Sequence, residues 1–281
     1  MGSSFGRREV ERRAERLVRE NRFTIAVVFP LMGTVLLVAS HERLLPEPLN
    51  FNPALILFGT FVMRLPLLVG LAPLVKRREF VGLVILASYT YVIEWVGVTT
   101  GFPYGEFTYE VSLGPMVLGG VPLGLPVFFF PLVLNSYLLV LLLKRFNNRV
   151  LHLLGVLGVV IAVDLVLDPG AVSLGFWEYA QGGAYYNVPL SNYMGWVLSG
   201  AVATVIIGLA FENFELRKRL EECEFMLDDL VSFVILWGTV NAYFGNWVPV
   251  VIATGIFGAL IRTKRFNFDV FRRREVSKVI E

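Results

Sequence analysis

Long apolar runs, separated at fairly regular intervals by short polar segments, form the main pattern of this chain. A hydrocarbon core of about 30 Å needs roughly 20 mostly apolar residues per helical crossing. Eight runs approach that length: residues 23–40, 53–74, 80–98, 122–143, 151–168, 191–211, 229–245 and 247–262. The pattern predicts an all-α polytopic membrane helix bundle of about eight transmembrane helices. The last two runs are short and nearly continuous, so seven crossings is the competing count. Ahead of the first run, "FGRREVERRAERLVREN" places Glu and Arg at helical spacing and predicts a basic amphipathic helix on the inner surface. The expected organisation is an arm over 1–22, a single transmembrane domain over 23–262 and a basic tail over 263–281.

The basic residues decide between seven and eight. Cytoplasmic flanks of membrane spans are enriched in Lys and Arg. Arg7, Arg8, Arg12, Arg13, Arg16, Arg19 and Arg22 precede the first span. Lys76-Arg77-Arg78, then Lys144-Arg145 with Arg149, then Arg217-Lys218-Arg219 occupy every second connection. Arg262, Lys264, Arg265, Arg272, Arg273, Arg274 and Lys278 close the chain. The alternate connections hold only Arg43, and the two longest, 99–121 and 169–190, hold no Lys or Arg. This alternation predicts an even number of helices with both termini cytoplasmic, because seven would put the basic tail on the wrong side.

Composition agrees with a multi-pass protein of the cell membrane: 56% of residues are hydrophobic, 17% are charged, and the mean hydropathy is +0.65. The formal net charge of +2 then reflects topology, and no nucleic-acid-binding motif is found. No short apolar core with a small-residue cleavage site precedes the first span, so no cleaved signal peptide is expected. Cys223 is the only cysteine, which excludes disulfides and cysteine-rich metal sites.

Ionisable residues inside lipid are costly and by default face a partner, a cavity or a substrate. Here they gather. Glu94 lies near the outer end of the third span, Asp164 and Asp168 share one face near the outer end of the fifth, and Asn192 opens the sixth. Asn241 sits in the outer half of the seventh, while Asn135 and Arg64 lie deeper. The two Lys/Arg-free loops above the acids resemble each other. After Glu94 come Gly101-Phe102, Tyr104, Glu106-Phe107 and a Val121-Pro122-Leu123 helix start. After Asp168 come Gly175-Phe176, Trp177-Glu178-Tyr179 and Val188-Pro189-Leu190. This suggests a parallel repeat of two-helix units with the acids facing each other across a cleft.

Structural roles compete with functional ones. Glu94 could pair with Arg64. Asp168-Pro169-Gly170 reads as a helix-ending turn, which would make Asp168 a cap. Asn192 could cap its helix. Trp95, Trp177, Trp196, Trp237 and Trp247 fall near outer span ends, as an interfacial aromatic belt would. Asp228-Asp229 read as solvated helix-start charges. His41 and His152 stand alone, and neither is assigned to a metal.

A pocket with two or three carboxyls and many rings suits acid–base work on an apolar substrate. Burial disfavours the charged form of a carboxyl group, so a buried acid can hold a proton near neutral pH. Protonating a trisubstituted alkene gives a tertiary carbocation that aromatic faces stabilise. Water activated by a second carboxylate would trap it as a tertiary alcohol. No cofactor is needed for those steps.

The run "EWVGVTTGFPYGEFTYEVSLGPMVLGGVPLGLPVFFF", with the later "DLVLDPGAVSLGFWEYAQGGAYYNVPLSNYMGW", resembles the integral-membrane carotenoid biosynthesis protein family. That family includes carotenoid 1,2-hydratases and bisanhydrobacterioruberin hydratases. The resemblance implies hydration of the terminal C1–C2 double bond of acyclic carotenoid ends. It implies Glu94, Asp164 and Asp168 as catalytic residues; the resemblance does not divide their roles, and the division expected here has Glu94 giving the proton and Asp164 activating water. Tyr104, Tyr109, Trp177, Tyr186, Asn192 and Trp196 would line the cleft, with Arg64, Trp95, Asn135 and Asn241 as further substrate-binding candidates. The expected partners are a carotenoid or other isoprenoid from the bilayer and lipid, with no nucleic acid and no stated oligomeric state. Two other functions stay open. A membrane prenyltransferase would need a second Asp-rich motif and nearby basic residues for diphosphate, whereas "DLVLD" supplies one pair. A proton-coupled lipid or solute transporter could use Glu94 and Asp164 as a relay.

Overall fold

The apolar runs fold as helices, and their ends are set by local chemistry. A computed structural model of the chain describes residues 6–143 and 148–263. Among these, ten α-helices follow in order: α1 (Arg7–Glu20), α2 (Phe29–His41), α3 (Pro53–Leu71), α4 (Arg77–Thr100), α5 (Leu125–Leu143), α6 (Arg149–Leu174), α7 (Leu190–Ala210), α8 (Asn213–Glu222), α9 (Asp228–Tyr243) and α10 (Trp247–Arg262). Four short strands lie in the two long loops: β1 (Phe107–Tyr109), β2 (Met116–Val117), β3 (Val121–Pro122) and β4 (Trp177–Tyr179). The predicted basic flank at Lys144 and Arg145, and the tail from Lys264 onward, lie outside the described residues.

Six stretches are long and apolar enough to cross a membrane: Thr24–His41, Pro53–Leu74, Arg77–Thr100, Leu125–Leu143, Arg149–Leu174 and Leu190–Ala210. The chain is an all-α membrane helix bundle. The helices α9 and α10 have 16 residues each, about 24 Å at 1.5 Å per residue, shorter than the hydrocarbon core. They are packed side by side, and α9 also packs on α2, α3 and α6, so it is a central element of the bundle. The other central element is α5, most of whose residues are buried, including the run from Pro131 to Leu141.

Helix ends explain several boundaries. Asn52 caps α3 by accepting from the backbone N–H of Ala54 and Leu55, at 3.0 and 3.1 Å. Both α4 and α6 stop at a glycine in the left-handed conformation, Gly101 at φ 76° and Gly175 at φ 77°. The fifth run thus extends past its expected end: α6 continues through Asp168-Pro169-Gly170 to Leu174, so Asp168 is no cap. Pro169 cannot donate to the carbonyl of Leu165, four residues earlier. That carbonyl accepts instead from the Tyr185 hydroxyl at 3.1 Å. The next carbonyl, of Val166, accepts from the Asn241 amide at 2.7 Å. Gly170 allows this approach, since a Cβ there would meet Trp237 Cε3 at 2.9 Å and Asn241 Nδ2 at 3.1 Å.

At the end of the bundle where α3 finishes and α4 and α9 begin, charges are paired. In α1, Glu9 pairs with Arg12 and Arg13, and Arg7 with Glu11. Arg219 of α8 bonds Glu15, tying that helix to α1. Asp228 and Asp229, expected to be solvated, are buried. Asp228 pairs with Arg22 and Asp229 with Arg64. The reason lies in the segment before α9, where Cys223, Phe225, Met226 and Leu227 are all buried and carry the helix start inside with them. Burial pushes the Cys223 thiol up to about 11.

At the opposite end, the two Gly/aromatic loops join. β1 pairs antiparallel with β4 in the register Phe107↔Tyr179, Thr108↔Glu178 and Tyr109↔Trp177. β2 pairs with β3. The first ladder brings the chain after α4 against the chain after α6, directly over the acids.

Candidate active site

An apolar cavity penetrates the bundle below the β1–β4 ladder, with about 1080 Å³ of empty space reckoned to its open mouth. Glu94 from α4, Asp168 from α6 and Asn192 from α7 all line it. So do Tyr104, Phe107, Tyr109, Trp177 and Tyr179 from the two loops. The remaining wall is mainly aliphatic and aromatic, with Ile56, Met63, Phe128, Phe129, Leu132 and Trp237 among its members.

Each cavity acid holds a tyrosine from the loop that covers it. The Tyr109 hydroxyl donates to Glu94 Oε1. The Tyr179 hydroxyl donates to Asp168 Oδ2 at 3.0 Å. Burial first, then the adjacent Glu94 carboxyl, holds the Tyr109 phenol well above its ordinary range. Burial and Asp168 do the same for Tyr179, so both phenols remain donors. The Asn192 amide donates to Asp168 Oδ2 and, at 3.0 Å, to Asp164 Oδ2. Asn192 is therefore occupied with carboxyls and is not a helix cap. Asp164 is fully buried behind this layer and does not line the cavity; its Oδ1 has no partner among the described residues.

Arg64 lines the cavity but pairs with Asp229 and not with Glu94. Asp229 Oδ2 also accepts from the Asn135 amide at 2.7 Å. Asn135 lies outside the lining, as do Trp95, Tyr186 and Asn241. Asn241 clamps α9 to α6 through the Val166 carbonyl, and Asn246 donates to Asn241 Oδ1 at 3.0 Å. The Tyr186 hydroxyl accepts from the Val248 N–H at 3.3 Å. The five tryptophans divide. Trp95 and Trp247 are 45% and 65% exposed, as a belt requires, whereas Trp177, Trp196 and Trp237 line the cavity. Trp196 stacks on Phe129 with ring centroids 5.2 Å apart.

The second wall of the cavity was hidden in sequence. Tyr179, Phe107 and Phe129 are lining residues that apolar patterning treats as ordinary loop or core, and Trp237 is one that reads as part of an aromatic belt. Tyr109 stands eight residues after Gly101 and Tyr179 four after Gly175, so spacing does not match them; the β1–β4 pairing does, and both tyrosines bond an acid. Among the described residues no three His, Cys, Asp or Glu side chains are arranged to hold a metal ion. The arrangement can deliver a proton and accept one within an apolar, ring-lined space.

Known proteins resemble the chain over most of its length. A family profile described as "Carotenoid biosynthesis protein" matches residues 51–260. The bisanhydrobacterioruberin hydratase of Haloarcula japonica is 59% identical over 262 residues, which cover 92% of this chain and 89% of that protein. No solved structure matches. With its cavity built inside the matched region, this chain belongs to the carotenoid biosynthesis protein family.

Proposed function

We propose that the chain is a membrane carotenoid hydratase that adds water across the terminal C1–C2 double bond of an acyclic carotenoid end group. The observation that carries this reading is the convergence of Glu94 and Asp168 on one apolar cavity, each held by a loop tyrosine. The similarity to a protein named as a hydratase supports it.

The chemistry balances without an oxidant. A carboxylic acid gives its proton to C2, and the alkene electron pair forms the new C–H bond, leaving a tertiary cation at C1. Faces of Trp177, Trp196, Phe107 and Tyr109 surround this space, where ring quadrupoles favour the cation. A water oxygen bonds to C1, and its proton passes to a second carboxyl group. The mainly aliphatic and aromatic wall disfavours bulk water beside the cation. The topology we assign counts α9 and α10 as the seventh and eighth crossings, with both termini cytoplasmic. It is supported by the alternation of Lys and Arg among the connections.

Expression in a host that makes acyclic carotenoids tests the function. Pigment is expected to gain the mass of water, with the new hydroxyl carrying oxygen from isotopically oxygen-labelled water and undiminished yield without air. Pigment that stays unchanged, or hydroxylation that needs molecular oxygen, overturns the reading.

A further inference from the structure

The two cavity acids are copies of one position. Glu94 stands seven residues before Gly101 and Asp168 seven before Gly175, the left-handed glycines that end α4 and α6. The β1–β4 register centres on Thr108 and Glu178. A local two-fold there superposes Tyr109 on Tyr179 and Phe107 on Trp177. The tyrosines it relates are the two that bond the acids. Further along, Phe129 and Trp196 each stand seven residues after a Val-Pro proline, Pro122 or Pro189, and they stack on each other. The cavity is therefore walled by two α–β–α units, α4–β1–α5 and α6–β4–α7, around a local axis.

The symmetry breaks at two positions. Three residues after the prolines stand Leu125 on α5 and Asn192 on α7, and both line the cavity. Eleven residues before the glycines stand Thr90 on α4 and Asp164 on α6, both buried. Thr90 bonds its own helix, at the Leu86 carbonyl, whereas Asp164 holds the Asn192 amide. As a result Asp168 accepts two hydrogen bonds, from Tyr179 and Asn192, while Glu94 accepts one, from Tyr109. A carboxylate in an apolar space needs donors to stay charged, and a neutral acid needs few.

Resting on the hydratase reading, we propose that this broken symmetry divides the labour. Glu94 is the proton donor, Asp168 is the base that activates water, and Asn192 with Asp164 are positioning residues that fix Asp168 in that role. Asp164 lies outside the cavity lining and acts through Asn192.

Deuterium separates the steps. A donor can deliver a deuteron to C2 and, once the C2–C3 bond has turned, its carboxylate can take the original C2 hydrogen as a proton; the C–H electron pair re-forms the alkene without any water being captured, and solvent deuterium stays in recovered substrate. Membranes carrying each variant are incubated with acyclic carotenoid in D2O, and both hydrated product and deuterated substrate are measured by mass. Asp168→Asn is expected to lose hydration at least about 100-fold, the scale of general acid–base catalysis, while substrate deuteration persists. Glu94→Gln is expected to lose both. Asn192→Leu, which recreates the α5 side, is expected to follow Asp168→Asn with a loss of at least about tenfold, equivalent to one hydrogen bond to a charged group. Each variant's abundance and thermal transition are read in the same membranes, and only variants folded like the wild type are scored. Deuteration that persists in Glu94→Gln and vanishes in Asp168→Asn overturns the division, as does loss of both in every variant or full hydration by Asn192→Leu. Wild-type membranes that hydrate nothing would instead sink the hydratase reading itself.

Discussion

The Arg64–Asp229 pair offers a quantitative test of how the bundle is held together. Both side chains are buried, at 7% and 0% exposure, and Asn135 completes the carboxylate's shell. Asp229→Asn leaves a guanidinium in the interior without its counter-charge, and removing one partner of such a pair costs about 3–5 kcal/mol. At roughly 2–4 °C per kcal/mol for a chain approaching this size, the thermal midpoint should fall by roughly 6–20 °C. Arg64→Met should cost about as much, because it strands the Asp229 carboxylate with one amide donor. The double variant removes both charges and should cost less than the two together by about 2–3 kcal/mol. The assay is retention of folded protein in detergent after heating, for the wild type, both singles and the double. Additive losses would refute the pairing. Combining Arg64→Met with Glu94→Gln supplies the contrast: those two effects should add, since Arg64 does not touch Glu94.

Three further outcomes follow from local geometry. Tyr109→Phe removes the donor that Glu94 accepts, and should lower the hydration rate about tenfold with little change in thermal midpoint. Gly195→Ala would put a methyl 2.5 Å from Tyr104 Cδ1 and 3.1 Å from the Pro103 carbonyl carbon. It should displace Tyr104 from Ser199, whose hydroxyl lies 2.7 Å from the Tyr104 oxygen, and cost about 1–3 kcal/mol by thermal unfolding. With its thiol at about 11, Cys223 is almost wholly protonated at pH 8, so alkylation of folded protein should be roughly 100-fold slower than that of an exposed cysteine. Because the shift is upward, the rate should climb as pH rises toward 11; labelling at the unfolded rate at pH 8 would contradict the buried placement.

Much of this protein was legible in one dimension. Among the described residues hydropathy located six helices long enough to cross a membrane, and two shorter helices beside them, because the bilayer imposes a length on every crossing. It also exposed Glu94, Asp164 and Asp168, since a carboxyl inside an apolar run is unusual enough to stand out. The likeness of the two loops was visible as well. Sequence misjudged the residues whose roles depend on neighbours from distant helices. Asp228 and Asp229 looked solvated because their burial comes from Phe225, Met226 and two arginines elsewhere in the chain. Asp168 looked like a cap because Asp-Pro-Gly favours turns, yet Tyr185 satisfies the carbonyl that Pro169 leaves open and the helix runs on.

What the amino-acid order determined alone was the set of apolar helices, to within about two turns at their ends, and the rarity of charge within them. Those follow from backbone hydrogen bonding and the thickness of lipid, which act on each segment independently. Which apolar face meets lipid and which lines a cavity was decided only by packing, because lipid tails and a protein interior make nearly the same demand on a side chain. Hence α5, mostly buried, and α4, mostly not, read alike as strings of letters. So too the meeting of Glu94–Tyr109 with Asp168–Tyr179 depended on two distant loops pairing as strands.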